Sequence, residues 1–286
     1  MVKHSSGDSV LLGFLGKRLD SLKRTRQRGQ DLVMTALVDR PGLLFVVSFA
    51  AFLFATFLGV IAQRAWRLMR TGEQNELTIV QSAALTLLGL IVGFSFSMAV
   101  SRYDQRKNLE EAEANAIGTE FARADLMPES VASGAHGSLK RYLDQRILFY
   151  STSDPGTLKQ IRTDTEKLGA DLWALARSNA LAQPTPVAAL VASGMNDVLN
   201  SADYTTAAWL NRIPIPAWWL LVMIGVGSNL TIGLGAKRFN SFLLVVLPLT
   251  VAISLFLIAD IDSPRGGVVE VAPQNLNRLA ASLKPS

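Results

Sequence analysis

Apolar residues along this chain come in four blocks, separated by charged or turn-forming residues. Residues 43–62 read LLFVVSFAAFLFATFLGVIA and carry no charge. Residues 79–100 are also charge-free, and further blocks cover 217–236 and 242–259. An α-helix needs about 20 such residues to cross the hydrocarbon core of a bilayer. The pattern therefore predicts four transmembrane helices. Trp218 and Trp219 open the third block, where an interfacial aromatic belt belongs. Pro248 inside the fourth predicts a kink.

The second block does not stop at the membrane edge. It passes without proline into SRYDQRKNLEEAEANAIGTEFARADLM. That predicts one helix from Ile79 to about Met127, roughly 70 Å long, half in lipid and half in water. Along it Ser82, Thr86, Gly89, Gly93 and Ser97 recur at three- and four-residue steps and share one stripe. The stripe continues through Ser101, Asp104, Asn108, Glu111 and Asn115. Small and hydroxyl residues gather where membrane helices touch or where water enters. The stripe is thus either a helix-contact seam or the wall of a water-filled path, with Phe94 and Phe96 available as a hydrophobic constriction.

Beyond the second span the apolar period stays helical. Helices are predicted over 131–150, 157–181 and 187–209, punctuated by Pro128, Asp154-Pro155-Gly156 and Pro184-Thr185-Pro186. The fold class is all-α: four transmembrane helices, with a helical cytoplasmic domain inserted between spans two and three. Residues 1–42 form a basic segment with an amphipathic helix at 10–22. Residues 43–100 form the first membrane pair, 101–213 the helical domain, and 214–260 the second pair. Residues 261–286 form a tail with a short extended run at 268–272 and a final helix.

Charge sharpens this picture. The net charge is +5, and residues 1–42 hold eight Lys and Arg against four Asp. Basic flanks before a first span favour cytoplasmic retention. Eleven Lys and Arg flank the spans on the side of the termini and the helical insert, against five on the other. Both termini are expected in the cytoplasm, in a bacterial inner membrane. No aromatic residues interleave with the basic run Lys23–Arg28, so nucleic acid is not an expected partner.

The remaining chemistry is sparse. Cysteine is absent and the two histidines are far apart, which excludes disulfides, thiolate sites and a histidine zinc site. There is no phosphate loop, nucleophile elbow or positioned histidine base, so no catalytic residues, metal or cofactor are expected. No span has an internal Asp, Glu, Lys or Arg, which argues against an ion-coupled transporter. Arg64, Arg67 and Arg70 at one mouth, and Arg102, Arg106 and Lys107 at the other, would concentrate anions in an oligomer. Glu110, Glu111 and Glu113 partly cancel the second mouth. Arg102, Asp104, Arg106, Glu113, Asn115, Glu120 and Arg123 are candidates for a polar network. In the tail, Asp260 and Asp262 could hold a divalent cation, but such a pair more often reads as a helix exit, with Arg265 as counter-charge.

The stretch GLIVGFSFSMAVSRYDQRKNLEEAEANAIGTEFARADLMP resembles the signature of the bestrophin-like family of bacterial membrane proteins. Its motif positions are 89–97, 101–106, 113–119 and 123–128. The resemblance covers most of residues 43–280 and leaves out the first forty. It implies kinship in layout with bestrophins, pentameric anion channels whose pore is lined by the second span. The partners so implied are the lipid bilayer, further copies of the chain, and small anions. The alternative is a non-conducting scaffold or sensor whose helical domain binds partners.

Overall fold

A computed structural model describes residues 31–67, 74–236 and 241–284. These are mostly helical, with no strand among them. After a short helical stretch at 31–38 come α1 (Pro41–Arg67), α2 (Gln74–Ala124), α3 (Glu129–Ser151), α4 (Pro155–Ala182), α5 (Pro186–Leu210), α6 (Ile215–Gly235), α7 (Ser241–Asp262) and α8 (Gln274–Ser282). Among the described residues, four stretches are long and apolar enough to cross a membrane. They lie in α1, in α2, in α7 and in Pro186–Gly235, which ends with α6.

Local chemistry explains most boundaries. Pro155 and Pro186 occupy the first turns of α4 and α5, where a missing N–H costs nothing. The Asp154 carboxylate accepts from the Thr157 N–H and hydroxyl, both at 2.7 Å, and these bonds hold its pKa below the usual carboxylate range. Thr185 Oγ1 accepts from the Ala188 N–H at 3.2 Å. The long helix is a single 51-residue element, but it ends at Ala124 rather than Met127. Residues 125–127 tighten into turns bonded to Ala122, Arg123 and Ala124. Pro128 requires this, because it disfavours helical backbone in the residue before it. The run 268–272 forms no strand, because the Val268 and Val269 N–H groups donate to the Asp260 carboxylate at 2.7 and 3.0 Å. The amphipathic helix expected at 10–22 lies outside the described residues.

The chain forms two compact units. One comprises the described residues up to Val92 together with those of Pro214–Ala259. In it α1 packs on α6 at backbone distance. A Cβ on Gly59 would meet Gly233 Cα at 2.9 Å and crowd Leu230 O, and one on Gly233 would crowd Thr56 O. Small residues allow this approach, which gains dispersion contacts that lipid cannot match. Next along the seam, Phe52 is fully buried against Gly225. Asn229, the most polar group in the third span, is also buried. Its Nδ2 donates to Gly225 O at 2.8 Å, and its Oδ1 lies 3.5 Å from Thr56 Oγ1. Trp218, expected in an interfacial belt, is fully buried.

The second unit comprises Gly93–Ile213 and the chain from Asp260 onward. Its core joins Ile117 of α2, Leu139, Tyr142 and Leu143 of α3, Leu172 of α4, Met195 and Val198 of α5, and Leu276 of α8.

Candidate functional site

The sequence stripe on α2 is exposed along its whole length. Ser82, Thr86, Gly89, Gly93 and Ser97 are all exposed, as are Ser101, Asp104, Asn108, Glu111 and Asn115. A Cβ on Gly89 or Gly93 would meet nothing within 4 Å. Ser82 and Thr86 hydroxyls donate to Thr78 O and Ser82 O of their own helix, at 2.8 and 2.9 Å. Phe94 and Phe96 are exposed too, at 64% and 42%. Within the second unit the stripe lines an open concavity of about 700 Å³, with Ser97, Ser101, Asp104, Gln105 and Asn108 on its floor. Every lining residue belongs to α2, so this is one bare helix face and not an enclosed chamber.

The opposite side of α2 carries its buried charges. Arg106 is 1% exposed and donates to the Ala208 and Asn211 carbonyls at the end of α5 and to the Ile261 and Asp262 carbonyls at the end of α7, at 3.0–3.3 Å. One guanidinium thus satisfies orphan carbonyls at two helix C-termini, where partial negative charge accumulates. Burial lowers its pKa, with Asp262 opposing and Arg212 and Arg102 adding to the drop. Glu110 accepts from the Asn275 and Leu276 N–H groups at 2.8 and 3.0 Å, and so caps the start of α8 from a distant helix. Glu113 is fully buried. It receives Nε and Nη2 of Arg146, the Tyr150 hydroxyl at 3.1 Å and the Thr205 hydroxyl at 3.1 Å. Burial alone would lower the Arg146 pKa, but Glu113 outweighs it and the guanidinium stays charged. Burial pushes the Tyr142 and Tyr150 hydroxyls up, so both stay neutral, and Tyr150 donates to Glu113.

The seven polar-network candidates therefore divide into separate groups. Asp104 and Asn115 stand on the exposed stripe. Arg102 reaches Asp262 at 3.3 Å, in the same cluster as Arg106. Glu113 turns to α3 and α5, while Glu120 and Arg123 face one another at 3.8 Å. The expected basic inner mouth is also altered. Arg102 and Arg106 turn into the unit, leaving Lys107 exposed beside Asp104 and Glu111. At the other mouth Arg64 is exposed, while the side chains of Arg67 and Arg70 lie outside the described residues.

The tail residues do not form one cluster. The Asp262 carboxylate accepts from the Ile213 N–H at 3.1 Å and pairs with Arg102 and Arg212. Asp260 serves the Val268 and Val269 N–H groups instead. Arg265 is the counter-charge of neither. Its guanidinium stacks 4.0 Å from the Trp209 ring centroid and 4.6 Å from that of Phe149, and donates to Phe149 O at 3.0 Å. Burial first, then Arg146 and Arg162, pull its pKa down to about 10. Among the described residues no group of three potential metal ligands occurs.

The sequence reading missed Arg146, Thr205 and Trp209 as partners. Arg146 did leave a trace. It lies one turn from Tyr142 and from Tyr150 on the apolar face of α3, where an arginine needs a buried counter-charge.

Comparison with known proteins bears on what this arrangement does. Residues 49–276 match the family model of the Bestrophin-like domain. A crystal structure of a bacterial bestrophin homologue from Klebsiella pneumoniae, a point mutant, superposes with a TM-score of 0.60 at 12% identity. That match covers 83% of this chain and 97% of the other. A second point mutant of the Klebsiella pneumoniae homologue gives 0.57 at 13% identity, covering 82% and 98%. A further crystal structure, of a membrane protein, gives 0.60 at 11% identity, covering 84% and 96%. At these identities the likeness is one of fold. No match was found among curated proteins.

Proposed function

Because the chain belongs to the Bestrophin-like domain family, we propose that it assembles into a homo-oligomeric ion channel lined by the α2 stripe of each copy. One observation carries this reading. The small and hydroxyl face of α2 is bare from Ser82 to Asn115, whereas Gly59, Gly225 and Gly233 of the other spans are tightly packed. Copies arranged around an axis would turn these faces toward one another. Hydroxyls would then offer hydrogen bonds to passing ions, and Phe94 and Phe96 would narrow the path. The pore would lie in the bacterial inner membrane. Both termini and the helical stretch 101–213 would sit in the cytoplasm, consistent with the basic flanks.

The family resemblance favours small anions as the permeant ions. A second reading, cation passage, draws support from the charges on the stripe. Asp104 and Glu111 are exposed there with Lys107, while Arg102 and Arg106 are turned inward. Purified protein in liposomes under a potassium chloride gradient separates the two by the sign of the reversal potential. The expected result is an ion flux that falls in Gly93→Leu and Ser97→Leu with assembly mass unchanged. Normal flux in both variants removes the stripe from the path. An assembly with no flux to either ion favours the scaffold.

A further inference from the structure

Two turns beyond Glu113, on the same side of α2, Glu120 is treated very differently. Its side chain is fully buried, yet neither carboxylate oxygen accepts a hydrogen bond. Arg123 Nη1 lies 3.8 Å from Oε2, beyond hydrogen-bonding range. Across from it is Gly194 of α5. A Cβ there would collide with Glu120 Oε2 and Arg123 Nη1 and come within 3.1 Å of Glu120 Cδ. The carboxyl group is pressed onto bare backbone in a place with room for no other side chain. An ionised carboxylate held this way loses its hydration and gains little in return, whereas a neutral acid is tolerated. The charged groups that bear on it are Arg123 from its own helix and Asp197 from α5.

We propose that Glu120 is a proton-operated latch between α2 and α5. Neutral, it lies flat on Gly194 and the two helices close. Ionised, it draws water to the contact and loosens α5 around residues 191–198. The proton exchanges with bulk water and no other reactant is needed. Burial raises the carboxyl pKa from 4.5 to about 7, with Arg123 pulling it back and Asp197 pushing it further. The closed contact therefore binds the proton more tightly than the open one. Closure is fully favoured below about 4.5, weakens as pH rises toward 7, and levels off above that. The latch depends only on the second unit and holds whether or not α2 lines a conduit.

The test is hydrogen–deuterium exchange of the full chain in detergent micelles from pH 4 to 8.5, corrected for the intrinsic exchange rate. In the wild type, protection over residues 191–198 should fall by up to about tenfold per pH unit through the titration. Glu120→Gln should hold that segment protected at every pH. Asp197→Asn should move the midpoint to lower pH and Arg123→Gln to higher pH, and this pair carries the test if Glu120→Gln does not fold. Flat wild-type protection overturns the latch. So does a Glu120→Gln profile that follows the wild type, or a midpoint that ignores both neighbours.

Discussion

The chain uses glycine in two opposite ways, and the contrast separates packing from exposure. On α1 and α6, Gly59, Gly225 and Gly233 are contact points, where an added Cβ meets backbone or the Phe52 ring at under 3 Å. On α2, Gly89 and Gly93 meet nothing within 4 Å. Both sets sit in apolar spans beside serine or threonine, so their sequences look alike. One set lets two helices of the same chain touch. The other keeps one helix face free of bulk, with no partner among the described residues. A parallel contrast divides α2 itself. Its stripe side is bare, and on its other side Glu110 and Glu113 each have several donors.

The largest expected effect is on the buried side. Glu113→Ala leaves the Arg146 guanidinium charged and unpaired inside the helical unit, which should cost about 3–5 kcal/mol. Denaturant or thermal unfolding in detergent reads it, and a loss under about 1 kcal/mol would show that water reaches Arg146 in solution. Next comes Gly233→Ala, which forces α1 and α6 apart against backbone atoms and should cost about 1–3 kcal/mol. The same glycine-to-alanine change at Gly93 meets open space and should leave stability within about 0.5 kcal/mol. If those two variants lose stability equally, the distinction between seam and bare face is wrong. The smallest effect on stability belongs to Asp104→Asn on the exposed stripe. It should unfold like the wild type and alter only ion selectivity, read as a shifted reversal potential.

Much of the architecture was legible beforehand. The four apolar blocks each contribute a candidate span, and the proline punctuation marks the starts of α3, α4 and α5. The stripe from Ser82 to Asn115 was legible as a set sharing one side of a helix, because the helical period requires it. Its exposure was not, since a stripe of small residues reads the same whether or not another helix covers it. The charged residues were the least legible. The helical period puts Arg102, Arg106, Glu113 and Glu120 on one side of α2 and Asp104 and Asn115 on the stripe opposite, but it does not say which of the first four are partners. The structure splits them because their partners arrive from far along the chain. Glu113 finds Arg146 and Thr205, Arg102 finds Asp262, and Arg106 finds carbonyls near residues 210 and 261.

What the residues determined unaided is what depends on near neighbours: helix length, apolar span, capping and breaking, and which side chains share a face. These follow from backbone geometry and solvation within a few turns. Tertiary structure alone decided which face of α2 is covered, which carboxylates receive hydrogen bonds and which glycines touch. Each of these depends on an element distant in the chain, and an ion pair or a backbone contact requires two surfaces, of which a local pattern describes only one.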